Sequence, residues 1–196
     1  MMNELLSILL ESQENQNTME TWFEERTRRH IKFVQDAIKK IVDAYPEFEE
    51  LIEIGKHHDE GKFKDPERDP YVSLTWRHKM EEEDGEFDPI NGKGYQTPGL
   101  LDKEDENEAT LHHITTHSHH PEYWVEDEAD AESARSADAS PMPDIAVAEM
   151  VADWAAMSEE LQKNTVREWY NSIAMTRWNF SDHQHELIDK LIKVFE

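Results

Sequence analysis

The chain has 196 residues, 45 acids against 20 Lys and Arg, and a formal net charge of −25. That balance excludes the cationic face that nucleic acid and anionic membranes require, so neither direct nucleic-acid binding nor a membrane partner is expected. Cysteine is absent, which excludes disulfides and thiolate sites and leaves His, Asp, Glu, backbone and water as metal ligands. Residues 1–11 have no basic region, are broken by acid and are too short to span a bilayer, so a cytoplasmic protein is expected. Six Trp, seven Phe and five Tyr supply aromatic mass for a core, and a single domain over 1–196 is expected.

Residues 3–12 predict a short amphipathic helix with Leu5, Leu6, Leu9 and Leu10 on one side. A polar break follows at 13–17, then Thr18 as an N-cap and a long helix to about Ala44. Phe23, Thr27, His30, Ile31, Val34, Ile38, Ile41 and Val42 form its apolar stripe. His30 on that stripe reads either as a core histidine or as a ligand. Pro46 suits the first turn of the next helix, whose apolar face is Phe48, Leu51, Ile52 and Ile54. His58 and Asp59 come at its end, where Gly61 is expected to break it. An imidazole beside a carboxylate suits zinc, iron, manganese and similar ions. Lys62 follows, either as a point charge for a phosphate or as a solvated lysine.

Residues 65–70 predict a loop, and Tyr71, Leu74, Trp76 and His78 begin a helix that ends in the acids at 81–84. Residues 84–107 and 126–143 read as long acidic loops. Between them, residues 108–120 predict a helix stopped by Pro121. His113, His117 and His120 stand at i, i+4 and i+7 on one face, with His112 and His119 on a neighbouring one. Five of eleven histidines fall within nine residues, which favours a metal site over adventitious binding. Tyr123 and Trp124 read as core packing. Asp144 is expected to cap a strong apolar helix holding Asp153, a carboxylate costly to bury unless paired or metal-bound. Two amphipathic helices close the chain, about 164–178 and 182–195, with Trp169, Ile173, Trp178, Leu187, Leu191 and Val194 as core. The fold class is all-α, a helical bundle with a core at about 18–180.

The order His30, His58-Asp59, His tract, Asp153 resembles the HD superfamily of metal-dependent phosphohydrolases. The segment His58-Asp59-Glu60-Gly61-Lys62 also resembles the His-Asp-x-Gly-Lys form of cyclic-dinucleotide phosphodiesterases in that superfamily, without their companion Gly-Tyr-Pro motif. A closer resemblance is to a small, largely uncharacterised group of phage and bacterial HD-like proteins. It is carried by His58-Asp59-Glu60-Gly61-Lys62-Phe63, by His112-His113…His119-His120-Pro121-Glu122-Tyr123-Trp124, and by Glu149-Met150-Val151-Ala152-Asp153-Trp154.

The resemblance implies one or two divalent metals (Fe, Mn, Zn, Ni or Co) held by His30, His58, Asp59 and Asp153. His113 and His120 are added as ligands, with His112, His117 and His119 as rivals. The implied reaction is hydrolysis of a phosphate ester or anhydride, with a nucleotide as the expected substrate. Asp59 would orient the nucleophile, Lys62 would steady a phosphoryl oxygen, and His117 or His119 would protonate the leaving group. Two other readings stand beside it. One is a di-iron oxygenase built on the same ligand types. The other is a metal-stabilised phage protein that binds a nucleotide or a host protein without catalysis.

Overall fold

A computed structural model describes the backbone of residues 2–84, 101–125 and 137–196, and the side chains of 13–14, 16–80, 101–125 and 137–196. The chain is all-α, with one two-residue pair of strands among the described residues. The helices are α1 (Met2–Ala44), α2 (Leu51–Ile54), α3 (Arg68–Asp84), α4 (Lys103–Thr116), α5 (Asp144–Leu161), α6 (Val166–Trp169), α7 (Met175–Arg177) and α8 (Asp182–Ile192). The strands β1 (Ala137–Asp138) and β2 (Trp178–Asn179) pair in parallel, Ala137 opposite Trp178. Among the described residues no helix is long and apolar enough to cross a membrane.

The fold comprises two compact units. Unit 1 is Met1–Arg28 with Gly61–Thr110, and unit 2 is Arg29–Glu60 with Leu111–Glu196. Unit 1 buries Met19, Phe23, Tyr71, Val72 and Ala109. Its α3 and α4 are joined by a buried polar cluster: Arg77 donates to both oxygens of Glu106, and the Ser73 hydroxyl donates to Glu106 Oε1 at 2.7 Å. In unit 2, the stripe Val34, Ala37, Ile38 and Ile41 of α1 packs with the buried side of α5, and Leu187, Ile188, Leu191 and Ile192 of α8 share that core. Buried Gln184 pins the segment before α5, donating through Nε2 to the carbonyls of Ala139 at 3.0 Å and Met142 at 2.7 Å.

Several boundaries differ from the sequence reading. Residues 13–17 are no break, and α1 runs unbroken through them. Gln16 and its neighbours are adequate helix formers, and the Thr18 hydroxyl donates to the Glu14 carbonyl one turn back instead of capping. The helix before the His-Asp pair ends at Ile54, with Gly55 rather than Gly61 at its cap. A Cβ on Gly55 would stand 2.5 Å from Ile38 Cδ1, so any side chain there would force the tip of buried Ile38 to move. Gly61 lies within a 3-10 turn, Glu60–Phe63. Helix α4 starts at Lys103 and stops at Thr116, so His117 to His120 form a turn, and Pro121 opens a 3-10 turn, Pro121–Trp124.

Residues 85–100 and 126–136 of the two expected loops lie outside the described residues, as do the side chains of Leu5 to Leu10. The rest of those loops is ordered by packing: residues 103–107 are helical, and Ala137, Ala139 and Met142 are buried. Asp144 is not a cap. It is the first residue of α5 and accepts from His183 Nε2 at 2.8 Å. The expected helix at 164–178 is α6, a π turn (Tyr170–Ala174) and α7, ending in β2, while the last one is α8 followed by a 3-10 turn (Lys193–Phe195). Ile52 and Ile173, expected in the core, are exposed, and Tyr123 is exposed as well.

Candidate metal centre

Every residue expected at the metal site lies in unit 2, except Lys62. His30 comes from the buried stripe of α1, one turn before Val34. His58 and Asp59 come from the turn that Gly55 permits after α2. The histidine tract begins on α4 and continues into the turn behind it. Asp153 comes from the middle of α5. Asp59 has φ 59°, a left-handed conformation that is uncommon but comparatively tolerated in Asp and costs roughly 1 kcal/mol.

That turn puts Asp59 between two sets of histidines. His30 Nε2 lies 2.9 Å from Asp153 Oδ1 and 3.9 Å from Asp59 Oδ2. His58 Nε2 lies 3.9 Å from the same Asp59 oxygen and 3.8 Å from Asp153 Oδ1. On the other side, Asp59 Oδ1 is 3.2 Å from His113 Nε2 and 3.9 Å from His119 Nε2. His30, His58, Asp59, His113 and His119 are buried, and Asp153 and His120 are partly buried. His58, His119 and His120 form a run of ring contacts, with centroids 4.3 and 4.2 Å apart.

His58 Nδ1 donates to Glu149 Oε1 at 3.0 Å, which leaves Nε2 facing the two aspartates. That Nε2 is buried and has no hydrogen-bond partner among the described residues. A buried ring nitrogen facing carboxylates at 3.8–3.9 Å fits a cation between them. Within unit 2, three sets of ligand atoms each lie within 4.8 Å of one another: His30 with His58 and Asp153, His113 with His119 and His120, and His58 with His119 and Glu149. Buried His and Asp groups of unit 2 could therefore hold a metal ion.

The titrations follow from the same arrangement. Burial alone lowers His58, but the charge of Asp59 and the carboxylates of Asp153 and Glu149 outweigh it and push it up to about 10. Burial likewise opposes the proton on His30, and Asp153 and Glu160 overcome it and raise it. His119 is held well below the usual histidine range, by burial first and then by the positive charge of His58 and His120. Burial tends to raise Asp153, yet His30 and His58 hold it well below the usual carboxylate range.

Seven of the expected residues therefore meet: His30, His58, Asp59, His113, His119, His120 and Asp153. The i, i+4, i+7 spacing predicted a single face for His113, His117 and His120. Because the helix ends at Thr116, it is His119 that turns back over His58, and His117 stays half-buried, its Nδ1 2.9 Å from the His113 carbonyl. His112 is half-buried too. Lys62 belongs to unit 1, where its ammonium lies 5.0 Å from the Tyr71 ring. Sequence reasoning gave no role to Glu149 or Glu160. Their signal was spacing, four before and seven after Asp153 on an otherwise apolar helix, which puts all three carboxylates on one side.

Residues 19–194 match a family of unknown function (DUF5662), and the chain belongs to that family. No curated protein and no solved structure matches it.

Proposed function

We propose that the protein is a metal-dependent phosphohydrolase of the HD type, cleaving a phosphate ester or anhydride in a small substrate, most naturally a nucleotide. The observation that carries this reading is the pair of histidines, His30 and His58, that direct Nε2 at Asp59 and Asp153 in a buried setting. His30, His58, Asp59 and Asp153 would hold one divalent ion, and His113, His119 and His120 would hold a second. When bound, such an ion lowers the pKa of a coordinated water and neutralises charge on phosphoryl oxygens.

The chain's own groups divide the remaining work. Asp59 has one oxygen towards each histidine set, which suits it to orient a nucleophile between them. His119 is held neutral by its surroundings, which fits a ligand better than a proton donor at pH 7. His117 is then the candidate to protonate the leaving group. The second histidine set also supports a two-iron reading, in which the same ligands serve an oxygenase.

The test begins with elemental analysis of untagged protein, followed by a nucleotide panel with manganese added. Parent protein should carry metal and release phosphate, while His58→Ala and Asp153→Ala should lose the metal. Variants with the parent's metal content would rule out this site. Two irons per chain, with an oxygen-dependent optical change, would replace hydrolysis by the oxygenase reading.

A further inference from the structure

Glu149 sits in a part of α5 where packing gives no reason for a carboxylate. Val147, Ala148, Met150 and Val151 around it in the chain are buried and apolar, and the Glu149 side chain keeps only 5% of its surface. A buried charge adds nothing to stability over an apolar side chain of similar volume, so its place calls for another cause. Its described partners supply one. Oε1 accepts the Nδ1 proton of His58 at 3.0 Å, and the same oxygen lies 3.7 Å from Nδ1 of His119. The two ring centroids lie 4.3 Å apart with their planes tilted by 40°, and both turn their Nε2 atoms towards Asp59.

We propose that Glu149 is a positioning residue of the metal centre, fixing His58 by its Nδ1 hydrogen bond so that the ring offers Nε2, with His119 packed against that ring. The inference rests on the metal reading given above. An imidazole that gives its Nδ1 proton to a carboxylate is left with Nε2 as its donor to a metal, in a set orientation. His119 Nδ1 is beyond hydrogen-bond distance of Glu149, so the carboxylate reaches His119 through the His58 ring that packs on it. Asp153 lies one turn further along the same helix, so α5 carries both a ligand and the group that aims another. Glu160 stands in a looser version of this relation to His30, 3.3 Å from Nδ1 but outside hydrogen-bond geometry. It serves as the internal comparison.

The test uses full-length protein labelled with 15N-histidine, with and without zinc, and reads nitrogen shifts and zinc affinity by chelator competition. In the parent, zinc should move Nε2 of His58 and His119 while Nδ1 keeps its proton. Glu149→Ala should weaken zinc binding about 10–100-fold, and shift Nδ1 of His58 but not of His30. Glu149→Gln keeps an oxygen that can accept the proton and should recover part of that loss. Glu160→Gln should reach His30 alone. Melts of the metal-free variants report folding, and if the alanine variant fails to fold, the glutamine variant carries the comparison. Unchanged zinc affinity in the Glu149 variants, or zinc bound through His58 Nδ1 with Glu149 as a ligand, would overturn the positioning role and leave the metal reading standing. A parent whose His58 and His119 nitrogens ignore zinc would remove both.

Discussion

At the scale of single residues, protons and a metal ion would compete for the proposed site. His58 is raised to about 10 because burial, which opposes its charge, is outweighed by Asp59 and the carboxylates of Asp153 and Glu149. At neutral pH the metal-free protein therefore holds a proton where a cation would compete for it. Zinc binding at pH 7.5 should release protons, seen as a calorimetric enthalpy that changes between phosphate and Tris buffers. Equal enthalpies in the two buffers would mean that His58 gives up no proton when zinc binds. The same raised value links to stability with a definite sign. The contribution is complete below the ordinary value near 6.5 and disappears as pH rises through about 10, so metal-free protein should lose Tm across that window. His58→Gln should flatten this loss. The meeting of His30, His58, Asp59 and Asp153 was legible in the sequence, from a motif and from the cost of an acid in an apolar helix. The choice of His119 over its rivals His112 and His117 was not legible, because it depends on α4 ending at Thr116, and no glycine or proline marks that point.

At the scale of elements, the metal centre depends on how closely α2 meets α1. Gly55 closes α2, its carbonyl accepts from Gln35 Nε2 at 3.1 Å, and its Cα faces Ile38 with no space for a methyl group. Its φ of −64° is ordinary, so alanine there would gain up to about 1 kcal/mol in helix preference. Overpacking against buried Ile38 costs about 1–3 kcal/mol, and this should win. Gly55→Ala should lower the denaturant midpoint and, by shifting the following turn, weaken metal binding at His58 and Asp59. Ile38→Val removes the atom in the way, so the double variant should be more stable than the two single effects predict. Strict additivity would show that the methyl group is taken up elsewhere. Sequence reading fixed on Gly61 as the breaker because it follows the His-Asp pair. The reason for Gly55 is a neighbour 17 positions earlier in the chain, which no local pattern carries. The polar run at 13–17 misled in the opposite way. It has low hydrophobicity but no helix breaker, so α1 continues through it.

At the scale of the molecule, the charge balance sets how solvent conditions act. The 45 acids outnumber the 20 Lys and Arg, so a net charge of −25 remains however they pair. Pairs such as Lys39 with Asp43 and Arg28 with Glu24 are exposed, and each is worth about 0.3–0.5 kcal/mol at low salt. Salt weakens those pairs and the mutual repulsion of the excess acids alike, as the screening length falls from about 30 Å at 0.01 M to about 3 Å at 1 M. The attractions are short and few, whereas the repulsions are numerous and reach further, so screening should relieve more than it removes. The Tm of metal-free protein in EDTA should therefore rise by several degrees as sodium chloride goes from about 0.01 M to about 0.5 M. A flat or falling curve would mean that the surface pairs outweigh the repulsion. Zinc should act differently, since on the proposed reading it would bind only the folded site. At a hundredfold excess over Kd it should add about 2.7 kcal/mol in low and high salt alike, because buried groups are screened far less than exposed ones. If the zinc increment shrinks with salt as the surface pairs do, the ion is being collected by the acidic exterior, and the buried cluster around Asp59 is not its site.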